Sequence, residues 1–401
     1  MTGYTVVHDA AQLVYTRNET VKTVPDAALA VRDGTVVASG PSDEVTREYP
    51  VDGAAVSVDA SGKTVLPGFV DSHTHAVFAG DRSDEFAAKL QGKRYQEILD
   101  EGGGILRTVE AVRDTSREEL ADLLRGRLDA MLAHGTTTAE VKSGYGLDVD
   151  TERKLLRAVR DAAEDHPMTV VPTFLGAHAV PEGWETDAYV DHVVDEQLPA
   201  VVGEGLAEFC DVFCEAGVFS AAQSRRVLEA GAEAGLTPKV HAEEFEHTGG
   251  ARLAADLGAA SADHLLQATD ADAAAMDDAG VTPVLLPGTA FTLDTDYADP
   301  DRFGEVAIAT DFNPNCHSLS MEFALDLACH GMRMAPGDGI RAATAVAAEA
   351  LNRTDGTGTL REGAPGDAIV ADASSYEHIP YSFGVSTVDT VIAGGEVVVD
   401  G

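Results

Sequence analysis

Near the start of the chain, in AALAVRDGTVVASG, apolar residues alternate with small and polar ones between Gly and Asp punctuation. That is the pattern of short, half-buried strands joined by tight turns. The far end, in GTLREGAPGDAIVAD and VDTVIAGGEVVVDG, has the same pattern. Two β-rich ends enclosing a different middle predict one small β-sandwich domain built from both termini, residues 1–65 together with 356–401.

Residues 66–355 are patterned otherwise. Apolar strand-like runs alternate with helical segments: TVLPGFVDSH, SREELADLLRGRLDAMLAHG, TTTAEVK, VDTERKLLRAVRDAAEDH and MTVVPTFLGAH. Further strand candidates follow at EFCDVFC, TPKVHAEE, SADHLL, TPVLLPG and VAIATDF. Strand followed by helix, repeated, is the signature of parallel βαβ units. Eight such strands predict an α/β fold, a closed (β/α)8 barrel, whose chemistry sits where strands end on the C-terminal face.

Composition narrows the function. With 68 acidic residues against 28 Lys and Arg, the formal net charge is −40 and the pI about 4.4. So negative a surface repels phosphate backbones and anionic lipids, which argues against nucleic-acid and membrane partners without identifying the small-molecule substrate expected from the site below. It suits concentrated salt, where a Debye length of roughly 3 Å screens self-repulsion. No apolar run approaches the ~20 residues of a membrane span, and the opening MTGYTVVHDAAQ has no export pattern, so a cytoplasmic protein is expected. The four cysteines form no paired motif; Cys210 and Cys214 alternate in EFCDVFCEAG and are read as packing residues. The glycines of Glu101-Gly-Gly-Gly104 do not open a helix directly after a strand, so they are read as a flexible lid and not a phosphate cradle.

The chemistry is concentrated at strand ends. The first barrel strand finishes in Asp71-Ser-His73-Thr-His75, and side chains two apart on a strand share a side, so His73 and His75 can ligate one metal ion. His241 closes the fifth strand, His264 the sixth and Asp311 the eighth. Four imidazoles and one carboxylate at one mouth suit a metal such as zinc or iron. His134, His192, His247, His317, His330 and His378 fall outside this constellation.

This set resembles the amidohydrolase superfamily of TIM-like barrels. The stretches FVDSHTHAVFAGDRSDEF, GGGILRTVEAVR, HGTTTAEVKSGYGL, VPTFLGAHAVP, HAEEFEHTGGARLAADLGAASADHL and ATDFNPNCHS narrow it to members that open small cyclic amides. The resemblance spans nearly the whole chain and implies hydrolysis of 4-imidazolone-5-propanoate to N-formimidoyl-L-glutamate by a homodimer. It implies that His73, His75, His241 and Asp311 hold the metal. Two-metal members carry a bridging lysine at the end of strand four, which here reads Asp211-Val-Phe-Cys214-Glu215, so one divalent or trivalent ion per chain, zinc or iron, is expected. Glu244 is implied as general base in preference to its neighbour Glu243, and His264 as a hydrogen-bond partner of the attacking water. Arg82 would bind the substrate carboxylate, a match for its guanidinium fork. Tyr145 and His178 would contact substrate, His178 by donating to the carbonyl under attack. Asn313, Asn315 and Cys316 are implied substrate contacts, although Asn315, Cys316 and His317 replace the family's usual Gly and small hydroxyl residues. Two rival readings share the barrel: a base deaminase, which would release ammonia, and a catalytically silent metal-binding protein.

Overall fold

In the computed structural model, residues 3–16, 20–93, 97 and 102–401 are described. The first strands are β1 (Tyr4–Tyr15), β2 (Lys22–Arg32), β3 (Thr35–Pro41), β4 (Val56–Asp59) and β5 (Thr64–Pro67). The barrel strands are β6 (Phe69–Asp71), β7 (Thr136–Lys142), β8 (Thr169–Ala177), β9 (Phe209–Cys214), β10 (Thr237–Ala242), β11 (Ser261–His264), β12 (Thr282–Leu285) and β13 (Ala307–Ile308). The last three are β14 (Ala368–Ala371), β15 (Val388–Ala393) and β16 (Glu396–Asp400).

The two ends meet in one eight-stranded sheet, ordered β16-β15-β14-β5-β1-β2-β3 with β4 on β1. The join is the antiparallel pair β14–β5, in which Ala368 faces Pro67 and Ala371 faces Thr64. The alternation seen in the sequence places Leu13, Leu29, Val65, Val370 and Ile392 in one buried cluster.

The middle forms the expected (β/α)8 barrel. Its eight parallel strands run β6 through β13 in order, and a bridge between Thr74 and Phe312 joins first to last. Helices alternate with them, several beginning at side-chain caps: Ser116, for example, accepts from the Glu119 N–H before Arg117–Ala133, and Asp148 from the Thr151 N–H before Val149–Ala163. The run TVLPGFVDSH is not one strand but two. β5 belongs to the terminal sheet and β6 to the barrel, and they part at Gly68, where a Cβ would lie 2.2 Å from Thr137 Oγ1. The backbone can pass there only without a side chain.

Two features of the strands build the site. The barrel interior is charged where apolar layers are usual: Glu140, Lys142, Asp211, Lys239 and Asp263 are all fully buried. At the C-terminal mouth, Glu243, His264, Leu265 and Asp311 adopt φ values of 57°, 77°, 61° and 50°. Left-handed backbone at four non-glycine residues is strain of the kind that gathers at functional sites. Of the glycine-rich stretch expected to form a lid, Glu101 lies outside the described residues, while the Gly104 N–H donates to Glu85 Oε1 at 3.0 Å.

Candidate active site

The strand-end histidines converge. His73, His75 and His241 can each bring a ring nitrogen within 4.8 Å of the others, and His73, His264 and Asp311 form a second such group. Asp311 Oδ1 lies 3.4 Å from His73 Nε2 and 3.5 Å from His75 Nε2, and His75 Nε2 lies 3.3 Å from His241 Nε2. All five residues are buried. Thr289 donates to the other Asp311 oxygen, so Oδ1 is left aimed at the histidines.

A hydrogen bond behind His73 and a close carboxylate contact behind His241 back the rings. His73 Nδ1 lies 2.6 Å from Asp263 Oδ2, and His241 Nδ1 lies 3.0 Å from Asp211 Oδ2. An Nδ1 proton held by a carboxylate leaves Nε2 as a lone pair facing the cluster. His73 Nε2 and Asp311 Oδ1 are buried with no hydrogen-bond partner, a costly state for protein atoms alone. A borderline metal ion, accepted by imidazole and carboxylate, fits both orphaned atoms.

Glu243 and Glu244 separate cleanly. The Glu243 carboxylate accepts the N–H groups of Thr248, Gly249 and Ala251, at 2.6, 3.0 and 3.1 Å, and is consumed in fixing the next helix start. Glu244 faces the site, with Oε2 3.7 Å from His264 Nε2. Burial above all, with Asp311 and Glu215 adding repulsion, holds the Glu244 carboxyl well above the usual carboxylate range.

On the substrate side, Tyr145 is buried with its ring 5.3 Å from that of His178, and His178 stacks on His75 at 5.0 Å. His178 Nδ1 lies 3.0 Å from the Gly144 carbonyl, which can only accept, so Nδ1 carries the proton. Burial pushes the ring down to about 3, so it is neutral and Nε2 offers a lone pair. In this tautomer it is Nε2 that faces the site. Arg82 Nε donates to Glu85 Oε2 at 2.8 Å, and the same Glu85 carries Gly104.

The loop after Asp311 is occupied with itself. Asn313 Nδ2 donates to the Asp311 carbonyl at 2.7 Å, while its Oδ1 accepts the N–H groups of Asn315 and Cys316 at 2.7 and 2.9 Å. Asn315 Oδ1 accepts from Lys89 Nζ at 2.5 Å. The Cys316 thiol is buried against the Thr310 carbonyl at 3.5 Å. Asn313 is thus spent on loop structure, while Asn315 ties the loop to Lys89.

Sequence reasoning missed Asp211 and Asp263 as partners of the histidines, Lys142 between them, and Glu85 and Lys89 at the rim. A signal was present for the two aspartates: each is a charged residue within an otherwise apolar strand run.

The chain belongs to the amidohydrolase family, whose sequence model matches residues 64–398. Its relatives in sequence include imidazolonepropionases. That of Haloarcula marismortui is 64% identical, covering 98% of this chain and 95% of the relative; that of Halobacterium salinarum is 61% identical, covering 99% and 98%. The imidazolonepropionase of Geobacillus kaustophilus is 47% identical, covering 98% and 94%. In structure, a triazine hydrolase variant superposes with a TM-score of 0.80 at 17% identity, covering 99% of this chain and 95% of that one. A zinc-bound adenosine deaminase from Xanthomonas campestris reaches 0.75 at 19%, covering 99% and 93%. At such identities the likeness speaks for the barrel alone.

Proposed function

We infer that the chain carries out the imidazolonepropionase reaction, hydrolysis of the ring amide of 4-imidazolone-5-propanoate to N-formimidoyl-L-glutamate, which relatives up to 64% identical are named for. The geometric observation that carries it is the meeting of the unpartnered His73 Nε2 and Asp311 Oδ1 beside Glu244, a buried carboxylate with raised proton affinity. Metal storage needs no such base.

We propose that His73, His75, His241 and Asp311 hold one ion per chain, zinc or iron. When bound, the ion acidifies a water towards a pKa of ~7, supplying hydroxide at neutral pH. Glu244 takes the water proton and returns it to the ring nitrogen as the carbon–nitrogen bond breaks, a double duty served by its raised proton affinity. His264, 3.7 Å from Glu244, holds the attacking water in line. Arg82, aligned by Glu85, pairs with the propionate carboxylate, and Tyr145 packs the ring. His178 accepts a ring N–H through Nε2. The loop of Asn313, Asn315 and Cys316 shapes the mouth from its backbone.

We further propose that residues 1–65 and 356–401 form a supporting domain for a catalytic barrel of 66–355. Among the described residues no helix is long and apolar enough to cross a membrane. All four thiols are free, in keeping with a cytoplasmic setting. A homodimer is proposed, and sedimentation in molar salt checks it.

The direct test follows the loss of imidazolone absorbance with metal-replete protein in molar KCl. Turnover with about one ion per chain is expected, whereas ammonia release from an aminated base would favour a deaminase. Glu244→Gln is expected to keep its metal and lose turnover by at least ~100-fold, the usual scale of a general base. Because Glu244 acts as its anion and its pKa is raised, kcat declines as pH falls through that raised value.

A further inference from the structure

Beneath the histidines lies a layer of charge that the reaction above does not use. Glu140 and Lys142 on β7, Asp211 on β9, Lys239 on β10 and Asp263 on β11 are fully buried. Two ammonium groups and three carboxylates are costly to desolvate, and well-packed aliphatic residues commonly replace such groups without loss of stability. Their geometry points to a use. Lys142 Nζ lies 2.7 Å from Glu140 Oε2, 2.7 Å from Asp211 Oδ2 and 3.8 Å from Asp263 Oδ2. The same Oδ2 atoms face the rings: Asp211 to His241 Nδ1 at 3.0 Å and Asp263 to His73 Nδ1 at 2.6 Å. Each outer oxygen is separately tied, Asp211 Oδ1 by the Val212 N–H at 2.7 Å and Asp263 Oδ1 by Ser261 Oγ at 2.6 Å.

We propose that Lys142 is a positioning residue for the metal centre, one ammonium at the root of two arms that aims His241 through Asp211 and His73 through Asp263. The two ligands come from strands on different parts of the barrel, and this ammonium is the shared element between their carboxylate supports. Without it Asp211 loses the ammonium 2.7 Å from the oxygen that faces His241, and Glu140 and Asp263 are left with Lys239 at 3.3 and 3.9 Å, so the oxygens turned to the imidazoles are less firmly held. Lys239 shares Glu140 with it, at 3.3 Å, and stands 3.9 Å from Asp263 Oδ2, but its Nζ also donates to the Ser72 carbonyl at 2.8 Å and so braces the main chain beside His73, and no contact ties it to Asp211. The assignment rests on the metal-site reading above, but its test needs no substrate, so the proposed reaction and this inference can fail separately.

The test compares wild type, Lys142→Met, Asp211→Leu and the double variant. Each is stripped of metal, checked for folding by circular dichroism in molar KCl, and titrated with zinc against a chromophoric chelator. Loss of a partner that orients a ligand typically weakens metal binding 10–100-fold. Lys142→Met is expected to show that loss with a changed visible spectrum of the cobalt-loaded protein. Because Lys142 acts on His241 through Asp211, the double variant should lose less than the product of the two single losses. Zinc affinity and cobalt spectrum unchanged in Lys142→Met, or single losses that simply multiply, would overturn the assignment. Should Lys142→Met not fold, nitrogen-15 NMR of histidine-labelled, metal-free wild type decides instead: Nδ1–H tautomers at His73 and His241 are expected, and an Nε2–H tautomer at either refutes it.

Discussion

Neighbouring carboxylates here take opposite roles through backbone conformation. At φ 57° Glu243 turns its side chain back onto three N–H groups, while Glu244, one position on, enters the site. Arg82 is held by Glu85 and has the fork that a carboxylate demands, so Arg82→Met should raise KM about 10- to 100-fold, the worth of a hydrogen bond to a charged group, and leave kcat within a few-fold. Steady-state kinetics on imidazolone propanoate measure the split. Asp71, buried and accepting the Thr310 N–H at 3.1 Å and its hydroxyl at 2.6 Å, is pushed up from 3.8 to about 7, chiefly by burial. The native state therefore keeps a proton that the unfolded chain releases, so this group's effect is to lower stability as pH rises from about 4 to about 7. Asp71→Asn should remove up to about 1.4 kcal/mol per pH unit of that slope, read from urea unfolding at several pH values in that window. An unchanged slope would mean that Asp71 is already ionised in the fold.

At the level of strands and helices, the terminal sheet and all eight barrel strands were legible, because alternation and strand–helix repetition are local signals. That His73, His75, His241, His264 and Asp311 would converge was legible for the same reason: each sits at or just past a strand end, where a polar residue interrupts an apolar run. What stayed hidden depends on register between distant strands. Nothing near Lys142 announces that Asp211 and Asp263 will flank it, and the tautomer of His178 is set by a carbonyl 34 positions away. The division of TVLPGFVDSH was equally invisible, since periodicity cannot show that a strand changes sheets. Gly68 makes that change possible, and Gly68→Ala should cost about 1–3 kcal/mol by overpacking against Thr137. Thermal unfolding would register the loss, and Gly68→Ala combined with Thr137→Ala should recover most of it.

For the molecule as a whole, a net charge of −40 is a standing self-repulsion. In molar salt it is screened within roughly 3 Å, and at about 0.1 M the screening length grows to ~10 Å, enough for neighbouring surface acids to sense one another. Tm should therefore fall steeply as KCl is reduced across that range, with activity lost irreversibly at the low end. A Tm independent of salt would show that the acids are neutral for stability. The terminal sheet carries a further consequence. β5 continues into the strand that leads to His73 and His75, yet its neighbour β14 is drawn from far along the chain: Thr64 Oγ1 donates to the Ala373 carbonyl across 309 positions. On the ribosome, β5 must wait without that partner until almost all of the protein has emerged. The sheet that steadies the first barrel strand is therefore closed later than the barrel itself, whose last strand ends at Ile308.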